Sequence, residues 1–163
     1  MPEATNSSTS ANLYCTFWLE GQCFGLPSSS VSEVHAPVPL TRIPGAPAAV
    51  RGYVNLRGQL YLVLDPSELL QGHPQPAQDV HELIVFQGEV GEAFAIAVER
   101  VGDILSISDA QIHGPRPRSD DVDLSSQEYR ASQLIVGHAT LDAELVMLIR
   151  PDELLSAACT PAT

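Results

Sequence analysis

The chain has no lysine: all eight of its cationic residues are arginine, set against twenty acidic ones for a net charge of -12. That absence removes the P-loop phosphate-binding lysine, the Schiff-base lysine and the strand lysine of protein kinases. The acidity repels a phosphate backbone, so nucleic acid is not an expected partner. No apolar run is long enough to span a bilayer, and residues 1–12 (MPEATNSSTSAN) carry no basic and apolar stretch of the secretory kind. The expectation is a soluble, cytoplasmic protein without direct membrane insertion. Only three cysteines occur, Cys15, Cys23 and Cys159, an odd number without metal-ligand spacing. They read as buried thiols.

Catalytic signatures are scarce too. The histidines at 35, 73, 81, 113 and 138 show no HxH or HExxH spacing. Ser28-Ser29-Ser30 is no GxSxG elbow, and neither GxGxxG nor GxxxxGK[ST] is present. Asp65 could serve as a catalytic or phospho-accepting carboxylate, but it precedes Pro66 as a helix N-cap does. The reading is therefore of a non-enzyme with no cofactor and no metal.

What the chain does contain, at 44% hydrophobic content, is a succession of short apolar or β-branched runs divided by turn residues. They cover Leu13 to Leu19, Cys23 to Pro27, Gly52 to Leu56, Leu60 to Leu64, Leu83 to Gln87, Ala93 to Val98, Val101 to Ile107, Leu134 to Ala139 and Leu145 to Ile149. Turn signals at Glu20-Gly21, Arg57-Gly58, Gly88 to Gly91 and Asp142-Ala143 suit hairpins. The fold class is all-β. Short helices are expected at Pro66 to Leu70 and Pro151 to Leu155, each with proline at a first helical position and carboxylates in the first turn. Gln71 to Asp79 and Gly114 to Glu128 read as exposed connectors outside the core.

An internal repeat organises these runs. Val50 to Leu70 aligns without gaps onto Ile135 to Leu155, with identities at Gly52/Gly137, Leu56/Leu141, Leu60/Leu145, Pro66/Pro151, Glu68/Glu153, Leu69/Leu154 and Leu70/Leu155. Upstream, Phe24 to Val34 aligns with Phe94 to Ile104, pairing Val31 with Val101 and Glu33 with Asp103. One β-unit used twice predicts two similar five-stranded lobes. The expected organisation is an N-terminal tail over 1–12, one domain over 13–158 and a C-terminal tail over 159–163. Its repeats span about 13–70 and 81–158, with terminal strands open to exchange between lobes.

The segment Val31 to Leu70 (VSEVHAPVPLTRIPGAPAAVRGYVNLRGQLYLVLDPSELL) resembles the signature of the CheW family. It holds a V-x-E-V/I strand, an I-P-x-x-P link and G-x-x-N-L-R-G-x-x-x-x-V-x-D. The resemblance implies two SH3-like barrels around a shared hydrophobic seam. It also implies an adaptor joining a chemoreceptor's cytoplasmic tip to the regulatory domain of a CheA-type histidine kinase, in rings with other CheW-like domains and recruited to membrane-associated arrays. By motif position, Glu33 and Arg57 form an ion pair on the receptor-binding surface together with Asn55 and Gly58, while Val31 and Gly52 face the kinase. The chain departs from the family pattern in Asp65-Pro66, in its missing lysines, and in Thr140-Leu141-Asp142-Ala143 where the first repeat has Asn-Leu-Arg-Gly. Recognition is therefore assigned mainly to the first copy of the repeat. Three other readings stay open: a β-barrel holding a small molecule between its lobes, a hydrolase using Asp65 with Glu33 or Glu68, and a ring component that does not couple receptor to kinase.

Overall fold

The computed structural model describes residues 11–75, 80–88, 93–114 and 127–159. Ten strands form two five-stranded sheets: β1 Ala11–Leu19, β2 Gln22–Pro27, β3 Val31–Pro39, β4 Val50–Leu56, β5 Gln59–Leu64, β6 Val80–Phe86, β7 Phe94–Val98, β8 Arg100–Ser108, β9 Ile135–Leu141 and β10 Glu144–Ile149. Three short α-helices accompany them, α1 Pro66–Leu70, α2 Gln127–Leu134 and α3 Leu154–Cys159. Nine strands lie on the apolar runs. The tenth, β3, has no continuous run because its residues alternate between half-buried and exposed. As a sheet edge it also accommodates Pro37 and Pro39, which a central strand would not.

The central sheet has the order β3-β6-β7-β5-β4 and the terminal sheet, which takes the first two and the last three strands, β8-β1-β2-β10-β9. Hairpin β6-β7 thus completes a sheet with β3, β4 and β5, and hairpin β1-β2 completes the equivalent sheet with β8, β9 and β10. Register follows the repeat: Leu62 pairs with Phe94 in parallel, and the aligned Met147 pairs with Phe24. Phe86 stacks on Phe94 at 4.7 Å between ring centroids, and Phe17 on Phe24 at 5.5 Å. The same backbone bond recurs, Asp65 N to Ala49 O and Arg150 N to Leu134 O, both 2.7 Å.

Each sheet is closed by a bridge between a segment following one edge strand and the opposite edge strand, Thr41 to Tyr53 in the central sheet and His113 to His138 in the terminal one. A small barrel results in each lobe. Val54, Leu56, Val63, Leu83 and Val85 fill the central barrel, while Cys23, Ile107, Ala139, Val146 and Leu148 fill the terminal one. Cys15 and Cys23 are buried thiols as expected, but Cys159, at the end of α3, is exposed. A third, larger cluster forms the seam between lobes, including Phe17, Phe24, Leu64, Ile84, Phe86, Phe94 and Ile96.

Asp65 is fully buried and caps α1 by accepting from Ser67 N at 2.9 Å. It also accepts from Gln75 N at 2.9 Å and Gln75 Nε2 at 3.0 Å, and pairs with Arg51 Nη1 at 3.4 Å. A buried carboxylate is tolerable with that many donors around it. Gln75 also donates to Ala97 O at 2.6 Å and is itself buried. The connector from Gln71 to Asp79 was expected outside the core. The correction concerns Gln75, whose amide satisfies a carboxylate and a sheet carbonyl that would otherwise be buried without partners. Of the second connector, residues 115–126 lie outside the described residues, and its last residues begin α2.

Candidate functional site

The β4-β5 turn places Arg57 at φ 53° and Gly58 at φ 86°, the paired left-handed conformation of a two-residue hairpin. Asn55 Oδ1 accepts from Gly58 N at 2.9 Å and closes the turn from inside. Thus Asn55, Arg57 and Gly58 are held as one unit at the hairpin tip. Arg57 projects into solvent with its side chain 74% exposed, and its guanidinium pairs with Glu33 on β3, whose side chain is 27% exposed. Because β3 and β4 are opposite edges of the central sheet, this ion pair spans the gap where the barrel closes. The hydrogen bond from Arg57 to Glu33, and then the carboxylate's charge, raise the arginine pKa above its already high ordinary value. The guanidinium stays charged at any physiological pH and keeps further donors free for a partner's carboxylate or carbonyl groups.

Val34 on β3 and Leu60 on β5 are exposed apolar residues that site reasoning from the sequence did not single out. Val34 follows Glu33 on β3, and Leu60 lies directly across the hairpin from Asn55. They are 48% and 58% exposed, and because Val34 opposes Ile84 while Glu33 opposes Val85, Val34 projects from the other face of β3 than the charged pair. The residues aligned with Leu60 and Val34 in the terminal lobe, Leu145 and Ile104, are exposed as well.

Neither Val31 nor Gly52, the two residues expected to face the kinase, is exposed. Val31 is half-buried against the seam at the start of β3. Gly52 is buried at φ 147°, and a Cβ there would collide with the Thr41 carbonyl. The glycine exists to let the closing segment lie against β4. Gly137 does the same for the His113 carbonyl in the terminal lobe.

Terminal-lobe residues aligned with the ion pair are Asp103 and Asp142, both acidic and both exposed. Like charges cannot pair, so the Glu-Arg arrangement belongs to the central lobe.

Residues 13–159 match the family model described as CheW-like domain. The chain is 30% identical over 140 residues to "Probable chemotaxis protein CheW" of Rhizobium etli, an alignment covering 86% of this chain and 84% of that one. It is 25% identical over 143 residues to "Chemotaxis protein CheW" of Bacillus subtilis, covering 84% and 91%. In fold it is similar to the crystal structure of the scaffolding protein TtCheW from Thermoanaerobacter tengcongensis, with a TM-score of 0.70, 23% identity, and 88% and 92% of the two chains covered. The match across nearly the whole described chain, on the doubled barrel architecture set out above, makes this chain a member of the CheW family of chemotaxis coupling proteins.

Proposed function

We propose that this chain joins the cytoplasmic tip of a chemoreceptor to the regulatory domain of a CheA-type histidine kinase, and that it reads the receptor with the β4-β5 hairpin of its central lobe. The observation that carries this reading is the Glu33–Arg57 pair, with its exposed arginine on a locked hairpin tip, absent from the otherwise equivalent terminal lobe. A charge-assisted contact held at a fixed hairpin tip gives an interface its orientation and specificity. The chain acts as a scaffold and not as an enzyme, located in the cytoplasm and recruited to receptor arrays. Among the described residues no helix is long and apolar enough to cross a membrane.

The kinase contact falls at the other face of β3 and the seam beside Val31. Gly52 contributes indirectly, by shaping the Thr41–Arg42 segment. Leu60 and Leu145 hold equivalent positions in the two repeats and both are exposed. That equivalence supports contacts with other CheW-like domains in a ring.

The experiment measures binding of the purified protein to a receptor tip fragment and to the kinase regulatory domain. Wild type, Arg57→Glu and the charge reversal Glu33→Arg/Arg57→Glu are compared. Both partners should bind wild type, both variants should lose the receptor fragment, and both should retain the kinase domain. Full receptor binding by the charge-reversed protein would assign the pair a purely structural role and overturn the proposed receptor surface.

A further inference from the structure

Two histidines and a methionine stand in one cross-strand row at the edge of the terminal sheet. His113 and His138 exchange backbone hydrogen bonds, each amide donating to the other's carbonyl at 2.8 Å. Their rings lie 5.5 Å apart between centroids, tilted by 34°. On the next strand Met147 directly opposes His138. Residues directly opposite one another project from the same face of a sheet, so two imidazoles and a thioether share one face. The backbone beneath them is fixed, because the His113 carbonyl occupies the space a side chain at position 137 would need.

We propose that His113, His138 and Met147 form a binding site for Cu(I). Strands are spaced by about 4.8 Å, so the outer two residues of the row have Cα atoms about 10 Å apart. An imidazole and a thioether side chain are long enough to meet over His138 from either side. Two neutral imidazole nitrogens and one thioether sulfur make a soft donor set, which selects Cu(I) over hard cations. Among the described residues no three of His, Cys, Asp or Glu converge to hold a metal; the thioether is the third ligand here. His113 is exposed while His138 and Met147 are half-buried, which leaves the row reachable from solvent. Met147 also packs at the margin of the seam, where a flexible, unbranched side chain can turn outward.

The fold does not dictate these residues. In the central lobe the same closing bridge, beside the same glycine, is made by Thr41 and Tyr53, with Leu62 opposite Tyr53. None of those three offers a nitrogen or sulfur ligand. A bound ion would staple the closing segment to β9 and β10, so binding and stability of the terminal lobe are linked.

The test uses the full chain with Cys159→Ser, which removes an exposed competing thiol, under anaerobic reducing conditions with bicinchoninate as the competing Cu(I) chelator. One Cu(I) should bind per chain and raise the thermal midpoint. His113→Asn and His138→Asn should each weaken binding by at least about tenfold, since changes one shell further out already cost that much. Met147→Leu, which preserves the apolar packing, should weaken Cu(I) binding and leave the thermal midpoint of the metal-free protein unchanged. No Cu(I) uptake, undiminished uptake in His113→Asn, or undiminished affinity in Met147→Leu would each overturn the site. The exposed position of His113 and the conservative Met147→Leu change keep the test decisive if His138→Asn fails to fold.

Discussion

The two lobes are built from the same unit and differ where the unit meets other molecules. Both use a glycine under the closing segment, a stacked phenylalanine pair facing the seam, and a two-residue turn with two positive φ values. Those features answer packing demands that any such barrel has. The charged positions follow no such rule: Glu33 and Arg57 align with Asp103 and Asp142, and the buried Asp65 aligns with the exposed Arg150. Duplicated backbone geometry with divergent charge separates what holds the barrels together from what gives each lobe its own surface.

The glycines give the strongest way to break that comparison. Gly52→Ala combines a forced left-handed residue with a backbone collision and should cost about 4 kcal/mol; Gly137→Ala has the collision alone and should cost about 2 kcal/mol. Denaturant unfolding of the two variants checks this, and equal or negligible losses would remove the shared closing device from the account. Asp65 comes next: Asp65→Ala removes the buried acceptor of the Ser67 and Gln75 backbone amides and should cost roughly 3 kcal/mol, whereas Arg150→Ala at the equivalent exposed site should stay within about 0.5 kcal/mol.

A third prediction uses pH and acts on the terminal barrel. Burial first, then the nearby Glu144 charge, pushes the Cys23 thiol up to about 11, with Arg100 opposing. A group whose folded pKa is raised adds stability that is complete below its unfolded pKa and is lost as pH rises through the folded value. Stability should fall by about 2 kcal/mol between pH 9 and 11, and Cys23→Ala should flatten that slope. An unchanged slope in Cys23→Ala would assign the alkaline loss to other groups.

Much of this was legible in the sequence because it rests on local rules. Apolar runs and turn residues locate nine strands, Asp65-Pro66 marks the start of α1, and the gapless repeat matches the equivalence of the two lobes, though not the parallel pairing of Leu62 with Phe94 and of Met147 with Phe24, which the structure adds. The ion pair was read from motif position and stands in the structure as Arg57 on Glu33. Less visible were features made by distant segments. Gln75 looks like a connector residue until Asp65 and Ala97 are placed around it. His113 and His138 are twenty-five positions apart by their numbering and meet only when the barrel closes. Val34 and Leu60 follow the spacing of core residues, and only the sheet edge and hairpin tip on which they lie leave them in solvent.

The measurement that reaches the central claim most directly exchanges the lobes' turn charges, comparing Arg57→Asp and Asp142→Arg for affinity toward a receptor tip fragment. Arg57→Asp gives the central hairpin the charge of its counterpart and should abolish receptor binding with little change in the unfolding midpoint, while Asp142→Arg should bind as wild type does. Receptor binding that survives Arg57→Asp and is lost in Asp142→Arg would contradict the account and move recognition to the terminal lobe.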